Sequence, residues 1–311
     1  MIYLLLIAAL LLIYGWSANL WFYKDRHTKP ITPNVDNVFD RKALPIYLEY
    51  EEVMDCAVIL VHGYPSTPYA YDWASKEIFD KGFDVFVPLL PGFGTEPKEL
   101  YNTTFTQWYN YLESFYREKR NHYKYLFVIG TSMGGAMTLK LAENFGGTSK
   151  EPDGIALIGT PVFLNDFKLG AIQKWGYYFM RIVALFTPAL KPKVHKGSDK
   201  INDGEENWIG YSGSFVRGGV SLMYNLKEIR ANLHLVETPI YIAHDQNDKT
   251  ISFQNLPVIK ERVSSKNIKE KITNLKSNHN RHTLLMYPSI QQQLSDEIVA
   301  FFKAIYEEKE R

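Results

Sequence analysis

The stretch VIGTSMGGA at residues 128–136 decides the fold, because an apolar run ends there in the pattern G-x-S-x-G and helix-forming residues follow. This order predicts a strand, a sharp turn with a serine at its tip, and a helix. Gly130 and Gly134 lack a Cβ atom, so the strand and the helix can pack closely around a strained serine. The turn is therefore expected to push the hydroxyl of Ser132 out of the sheet.

The peptide N–H that follows this serine belongs to Met133, at the start of the predicted helix. N–H groups at a helix N-terminus suit a developing oxyanion, so the pattern predicts a nucleophilic serine. The alternative is a glycine-rich turn with a surface serine. The flanks favour the nucleophile, because residues 125–129 are predicted to form a buried strand and residues 133–144 a helix.

Composition limits the classes of protein to consider. The 311 residues are 46% hydrophobic and carry a formal net charge of +1, so the chain can bury a full core and shows no sign of a nucleic-acid partner. Cys56 is the one cysteine, which excludes an intrachain disulfide and a cysteine-rich metal site. No cluster of ligand residues indicates a metal or cofactor, and we expect neither.

The N-terminus is strongly apolar, with no charge in residues 2–23. At about 1.5 Å per residue this segment spans about 33 Å, enough for the core of a bilayer. A cleaved signal peptide is the alternative, but a positive n-region and an A-x-A site are lacking. We therefore predict a membrane anchor at residues 1–23 and a polar tether at 24–45. Lys24, Arg26 and Lys29 follow the span, which weakly favours the cytoplasmic side for the rest of the chain.

Strands and helices alternate along the remaining chain. Strands are predicted at residues 46–50, 57–61, 83–88, 125–130, 155–159, 240–243 and 271–275. Helices are predicted at residues 69–81, 105–120, 133–144 and 290–306. Such alternation predicts an α/β protein with a mostly parallel, doubly wound sheet.

Residues 161–238 interrupt this alternation, because they contain no clear strand. A loop of this length does not stay structureless inside a compact domain, so we predict a mostly helical cap between the core segments 46–160 and 239–311. A flexible polar excursion is expected at 191–206. Some of the cap's aromatic residues should line an apolar pocket above Ser132. They are Phe163, Phe167, Trp175, Tyr177, Tyr178, Phe179, Phe186, Trp208, Tyr211, Phe215 and Tyr224.

A nucleophilic serine needs a base, and the base needs an orienting carboxylate. After an elbow of this kind, the acid follows a late strand and the histidine comes last. The loop after residues 240–243 offers Asp245 and Asp248. We predict Asp248 as the acid, because the loop must reach away from the strand end, and Asp245 as a support of the turn.

The base should follow the last strand, where the chain offers His279 and His282. His282 directly precedes an apolar run that should pack toward the last helix. We therefore predict His282 as the base and keep His279 as the alternative.

A second oxyanion donor is expected in the loop after residues 57–61. Pro65 has no N–H, so the N–H of Tyr64 is the natural partner of the N–H of Met133. Gly63 allows the backbone to turn toward the serine. His62 is predicted to brace this loop.

Several motifs together resemble the α/β-hydrolase family, and within it the bacterial carboxylesterases and monoacylglycerol lipases. They are VHGYPS at 61–66, LLPGFG at 89–94, GTSMGG at 130–135, HDQND at 244–248 and RHTLL at 281–285. The resemblance covers about residues 55 to 307. It implies a triad of Ser132, Asp248 and His282 with oxyanion donors Tyr64 and Met133, and cleavage of carboxylic esters without a cofactor. The long cap and the N-terminal anchor depart from the family pattern.

The expected function is therefore hydrolysis of a carboxylic ester. The aromatic cap and the predicted anchor favour a lipid-like small molecule such as a monoacylglycerol. A thioesterase, amidase or peptidase could use the same triad, because fold does not decide function. A non-catalytic, membrane-tethered binding module is a further alternative, but it would require a broken triad.

Overall fold

The computed structural model describes residues 1–17, 29–164, 180–198, 203–204 and 207–311. In chain order its strands are β1 Ile46–Leu48, β2 Cys56–Val61, β3 Asp84–Val87, β4 Tyr125–Thr131, β5 Gly154–Ile158, β6 Leu190–His195, β7 Gly210–Ser214, β8 Ile240–Asp245 and β9 Ile268–Thr273. Its α-helices include α1 Ile2–Ser17, α2 Asp72–Phe79, α3 Pro97–Tyr101, α4 Phe105–Arg120, α5 Met133–Phe145, α6 Val216–Asn232, α7 Asn255–Arg262 and α8 Gln291–Lys309.

One seven-stranded sheet forms the centre of the molecule, in the order β1-β3-β2-β4-β5-β8-β9. β1 pairs antiparallel with β3, and all other neighbours pair in parallel. β4, which leads into the G-x-S-x-G turn, lies in the middle of this order. The predicted α/β fold with a mostly parallel sheet is therefore confirmed.

Helices cover both faces of the sheet, which explains why its central strands are continuous apolar runs. Ala57, Ile59 and Val61 of β2 face a core built with α4, α5, α6 and α7. Val58 and Leu60 of the same strand face the opposite core, built with α2 and α8. The result is a three-layer arrangement of helix, sheet and helix, as expected for a doubly wound fold.

Strands are present in the segment between β5 and β8, where the sequence predicts a mostly helical cap. β6 and β7 pair antiparallel in a separate two-stranded sheet, and α6 follows them. β6 occupies part of the predicted excursion at 191–206. Its sequence LKPKVH contains Pro192 and lacks apolar alternation, and β7 is rich in Gly and Ser, so neither strand has the usual signal. Five of the predicted cap aromatics lie outside the described residues: Phe167, Trp175, Tyr177, Tyr178 and Phe179.

The N-terminal helix α1 is shorter than the predicted membrane span. Its 16 residues extend about 24 Å, less than the roughly 30 Å of a hydrocarbon core. Within the described ranges, none of the helices has both the length and the apolar character needed to cross a membrane. Residues 18–28, the remainder of the predicted span and its flank, lie outside those ranges. The span at residues 2–23, and the anchored location inferred from it, are therefore not supported.

Candidate active site

Ser132 lies at the sharp turn between β4 and α5, with φ +56° and ψ −123°. Few residues other than glycine adopt a positive φ, so the turn must be held by its surroundings. A Cβ at Gly130 would lie 2.4 Å from the carbonyl oxygen of Gly134, and a Cβ at Gly134 would lie 1.9 Å from that of Val61. The N–H of Ser132 donates to the carbonyl of Ile158 at 2.9 Å. Both glycines thus have the steric role that the sequence predicts.

Two peptide groups adjoin the serine. Met133 is the first residue of α5, so its N–H has no acceptor within the helix and lies at the positive end of the helix dipole. Gly63 packs against the elbow, because a Cβ there would lie 3.1 Å from the Cβ of Ser132. Tyr64 follows directly and lines the same cavity as Ser132. The structure therefore brings both predicted oxyanion donors to the neighbourhood of Ser132.

Asp248 and His282 are in direct contact, although 34 residues separate them. Oδ2 of Asp248 lies 2.7 Å from Nδ1 of His282. Because an ionised carboxylate only accepts, Nδ1 carries the proton of this hydrogen bond. Oδ1 of Asp248 accepts the N–H groups of Thr250 at 2.7 Å and Ile251 at 2.9 Å. Both side chains are buried, so the carboxylate and the ring are held in one orientation.

A second histidine also contacts Asp248, and sequence reasoning missed it. Nε2 of His244 lies 3.1 Å from the same Oδ2, and the His244 ring is buried with an edge-on contact to Phe253. Burial by itself would raise the pKa of Asp248, but the charge and hydrogen bonds of His282 and His244 hold that pKa below its usual range. The spacing of four residues between His244 and Asp248, across a strand end, was the signal available in the sequence.

Asp245 and His279, the alternatives to Asp248 and His282 in the sequence, have other contacts. Oδ2 of Asp245 accepts hydrogen bonds from Oγ1 of Thr273 and the N–H of Leu275, both at 2.8 Å, and so fastens the loop after β9 to β8. His279 packs against Gly204, where a Cβ would lie 2.3 Å from Cδ2 of its ring. The carboxylate of Asp248 is thus approached by His282, while His279 lies against the segment at 203–204.

His62 is fully buried between two loops. The N–H of Leu90 donates to its Nε2 at 3.2 Å, so Nδ1 carries the proton and donates to the carbonyl of Gly63 at 3.1 Å. Burial lowers the pKa of His62 to about 4, and the ring is neutral at pH 7. His62 therefore braces the loop that leads into Tyr64.

One cavity of about 170 Å³ connects Ser132 and His282. The ring of Trp208, from the segment between β5 and β8, forms part of its wall and stacks on His195 at 4.4 Å between centroids. The other lining residues are Gly63, Tyr64, Pro65, Ser66, Ala70, Thr131, Thr250, Asn280 and Thr283. Across the part of the chain that the structure describes, no three His, Cys, Asp or Glu side chains are grouped so as to hold a metal ion.

A family model described as serine aminopeptidase, S33, matches residues 53–286, which include the elbow, Asp248 and His282. The chain belongs to this family. Membership agrees with the fold and with the resemblance seen in the sequence, and it places the chain among the serine hydrolases of the α/β-hydrolase fold.

Proteins similar to this S33-family chain include lipases and esterases. It is 36% identical over 102 residues to a thermostable monoacylglycerol lipase of Bacillus sp. (strain H-257), covering 33% of this chain and 40% of that protein. A carboxylesterase of Bacillus subtilis (strain 168) is 20% identical over 212 residues, or 68% of this chain and 79% of that protein. Among solved structures, a soluble variant of the monoglyceride lipase of Saccharomyces cerevisiae matches with a TM-score of 0.66 at 18% identity, covering 89% of this chain and 96% of that one.

Proposed function

We propose that the protein hydrolyses carboxylic esters through an acyl-enzyme on Ser132. The observation that carries this proposal is that Ser132 and His282 line one cavity while Asp248 holds the far nitrogen of the imidazole ring. A histidine bonded through Nδ1 to a carboxylate presents Nε2 as the proton acceptor, which is the arrangement a serine nucleophile needs.

The proposed reaction has two steps. In the first, Nε2 of His282 takes the proton of Ser132 as Oγ attacks the ester carbonyl, and Asp248 stabilises the resulting imidazolium. The N–H groups of Tyr64 and Met133 bind the oxyanion, and His282 then protonates the departing alcohol. In the second step, water activated by His282 releases the acid from Ser132. Protein groups supply every proton transfer, so this mechanism needs neither a metal nor a cofactor.

The proposed substrate is a lipid-like ester such as a monoacylglycerol. The 36% identity to a monoacylglycerol lipase over 102 residues supports this class. The cavity wall supports it as well, because Trp208 and Pro65 present apolar surface beside Ser132. Trp208 belongs to the segment at 161–238, and we propose that the described part of this segment around Trp208 covers the acyl chain.

Ester hydrolysis by the purified protein tests the proposal, with Ser132→Ala and Ser66→Ala as a matched pair. Both serines line the cavity, but only Ser132 lies at the elbow. The substrates are p-nitrophenyl esters of increasing acyl length, a monoacylglycerol and an aminoacyl p-nitroanilide. We expect Ser132→Ala to abolish ester hydrolysis without lowering the thermal midpoint, whereas Ser66→Ala should stay active.

Ester hydrolysis retained in Ser132→Ala would contradict the acyl-enzyme. Cleavage of the anilide with no ester hydrolysis would replace the proposed ester with an amide. Rates that peak at medium or long acyl chains would support the lipid-like substrate.

A further inference from the structure

The loop that carries the Tyr64 N–H is joined to β7, outside the main sheet. Ser66 forms an isolated antiparallel bridge with Gly210 of β7. The N–H of Tyr211 donates to the carbonyl of Pro65 at 3.0 Å. The position of this loop therefore depends on the segment between β5 and β8 as well as on the strand that precedes the loop.

The side chain of Tyr64 extends the same connection to α6. Its hydroxyl donates to the carbonyl of Phe215 at 3.0 Å, the carbonyl that also accepts the N–H of Gly219 in the first turn of α6. Burial raises the pKa of Tyr64, so its hydroxyl stays protonated and can only act in this bond as the donor. The ring is held by Trp108 at 5.4 Å and Phe93 at 6.0 Å between centroids.

The helix approaches this hydroxyl at a glycine. A Cβ at Gly218 would lie 2.5 Å from Oη of Tyr64, so any larger residue would push the ring or the helix away. Tyr64 thus follows directly on Gly63, which packs against Ser132, and its hydroxyl lies against the start of α6.

We propose that Tyr64 is a positioning residue, whose hydroxyl bond to Phe215 fixes the place of its own N–H relative to Ser132. The reason is geometric. An oxyanion donor must lie about 2.7–3.1 Å from the position that the oxygen takes in the transition state, so a small displacement of the loop costs rate. The proposal rests on the proposed function of the site, and it makes α6 a determinant of the rate of the chemical step.

The test compares two tyrosine-to-phenylalanine variants of the whole 311-residue chain. Tyr64→Phe keeps the peptide N–H and the ring and removes only the hydroxyl. Tyr116→Phe is the matched control. Tyr116 lies in α4, is also buried and does not line the cavity, and its hydroxyl donates to the backbone carbonyl of Lys150 at 2.7 Å. For each variant one measures kcat, KM, the thermal midpoint, and the affinity for a trifluoromethyl ketone, which forms a tetrahedral oxyanion on the serine.

Tyr64→Phe is expected to lower kcat by about 10- to 100-fold, less than the roughly 10²–10³-fold typical of losing an oxyanion donor. KM should change little, and the affinity for the trifluoromethyl ketone should fall in parallel with kcat. Tyr116→Phe should lower the thermal midpoint to a similar extent and keep its kcat. Gly218→Ala leaves Tyr64 intact but pushes its ring and α6 apart. This variant should therefore also lower kcat.

Equal values of kcat in the two tyrosine variants would overturn the positioning role, as would a lower kcat in Tyr64→Phe with unchanged affinity for the ketone. Either outcome can be observed only if the wild-type protein is active, so it would overturn the positioning role alone. A wild-type protein without Ser132-dependent ester hydrolysis would be a failure of the proposed function, and the positioning role would fall with it.

Discussion

At the scale of single residues, the most unusual contact is the shared carboxylate of Asp248. Oδ2 lies within hydrogen-bond distance of both His282 and His244, and Oδ1 accepts two backbone N–H groups. An ionised carboxylate offers about four acceptor sites, so these partners use its full capacity. The carboxylate is therefore fixed in orientation, and protonating it would disturb several bonds at once.

Asp248→Asn is expected to lower kcat by about 10⁴-fold, because an amide at this position favours the wrong tautomer of the base. Asp245→Asn is the control, because Asp245 lies only three residues earlier, at the end of β8. It weakens the bonds to Thr273 and Leu275, so it should lower the thermal midpoint more than kcat. Equal losses of kcat in the two variants, measured on the same ester, would contradict the separate roles.

His62 should make stability depend on pH. Its pKa is lowered to about 4 from an ordinary 6.5, so between these values the unfolded chain binds a proton that the folded chain does not. The contribution of His62 to the free energy of unfolding is therefore unchanged above about pH 6.5. As pH falls from there to about 4, the free energy of unfolding declines by up to about 3 kcal/mol because of this group. Urea unfolding at pH 7 and at pH 4.5 should show a smaller decline in His62→Gln, whose amide does not titrate.

The comparison with a variant is necessary because other groups titrate in the same window. Burial raises the pKa of Glu143 to about 8, so this carboxyl group binds its proton more tightly when folded and stabilises the fold as pH falls. The exposed His234, changed to Gln, serves as the control for His62. A decline of the same size in the wild type and in His62→Gln would show that the buried ring does not titrate as described.

At the scale of elements, the packing of α5 against β4 and β2 sets the turn at Ser132. Gly134→Ala would place a Cβ 1.9 Å from the carbonyl oxygen of Val61, so α5 or β2 must move. We expect a loss of about 3 kcal/mol in the free energy of unfolding, together with loss of activity.

Gly219→Ala in α6 is the matched control for this change. Its Cβ would meet the flexible side chain of Met180 at 3.1 Å, and alanine is the better helix former by up to about 1 kcal/mol. Urea unfolding should therefore show Gly219→Ala to be neutral or stabilising. If Gly134→Ala were equally tolerated, the steric account of the elbow would be wrong.

Local patterns explain which elements could be predicted from sequence. The G-x-S-x-G turn is defined by sterics within a few residues, so β4 and α5 were predicted within one or two residues of their observed bounds. The pair β6 and β7 depends on partners in another part of the chain, and neither strand has apolar alternation. For α1, hydropathy over residues 2–23 predicted a span, but the described helix covers only Ile2–Ser17, and residues 18–28 lie outside the described ranges.

At the scale of the whole molecule, the order of the chain explains what could be predicted about the site. Asp248 and His282 were predicted from their places after the late strands, because parallel strands bring their carboxyl ends to one edge. The contact of His244 with Asp248 could not be derived in this way. His244 lies within β8, and only its spacing of four residues from Asp248, across the end of that strand, pointed to this neighbour.

Chain order also means that the proposed nucleophile is synthesised before its proposed acid and base. β4 lies at the centre of the sheet, whereas Asp248 and His282 follow β8 and β9, the last two strands in the chain, which lie at one edge. A nascent chain that has emerged from the ribosome only to residue 239 holds Ser132 but neither the proposed acid nor the proposed base. Such a chain could not attack an ester bond, so reactivity would begin only once the C-terminal strands have joined the sheet.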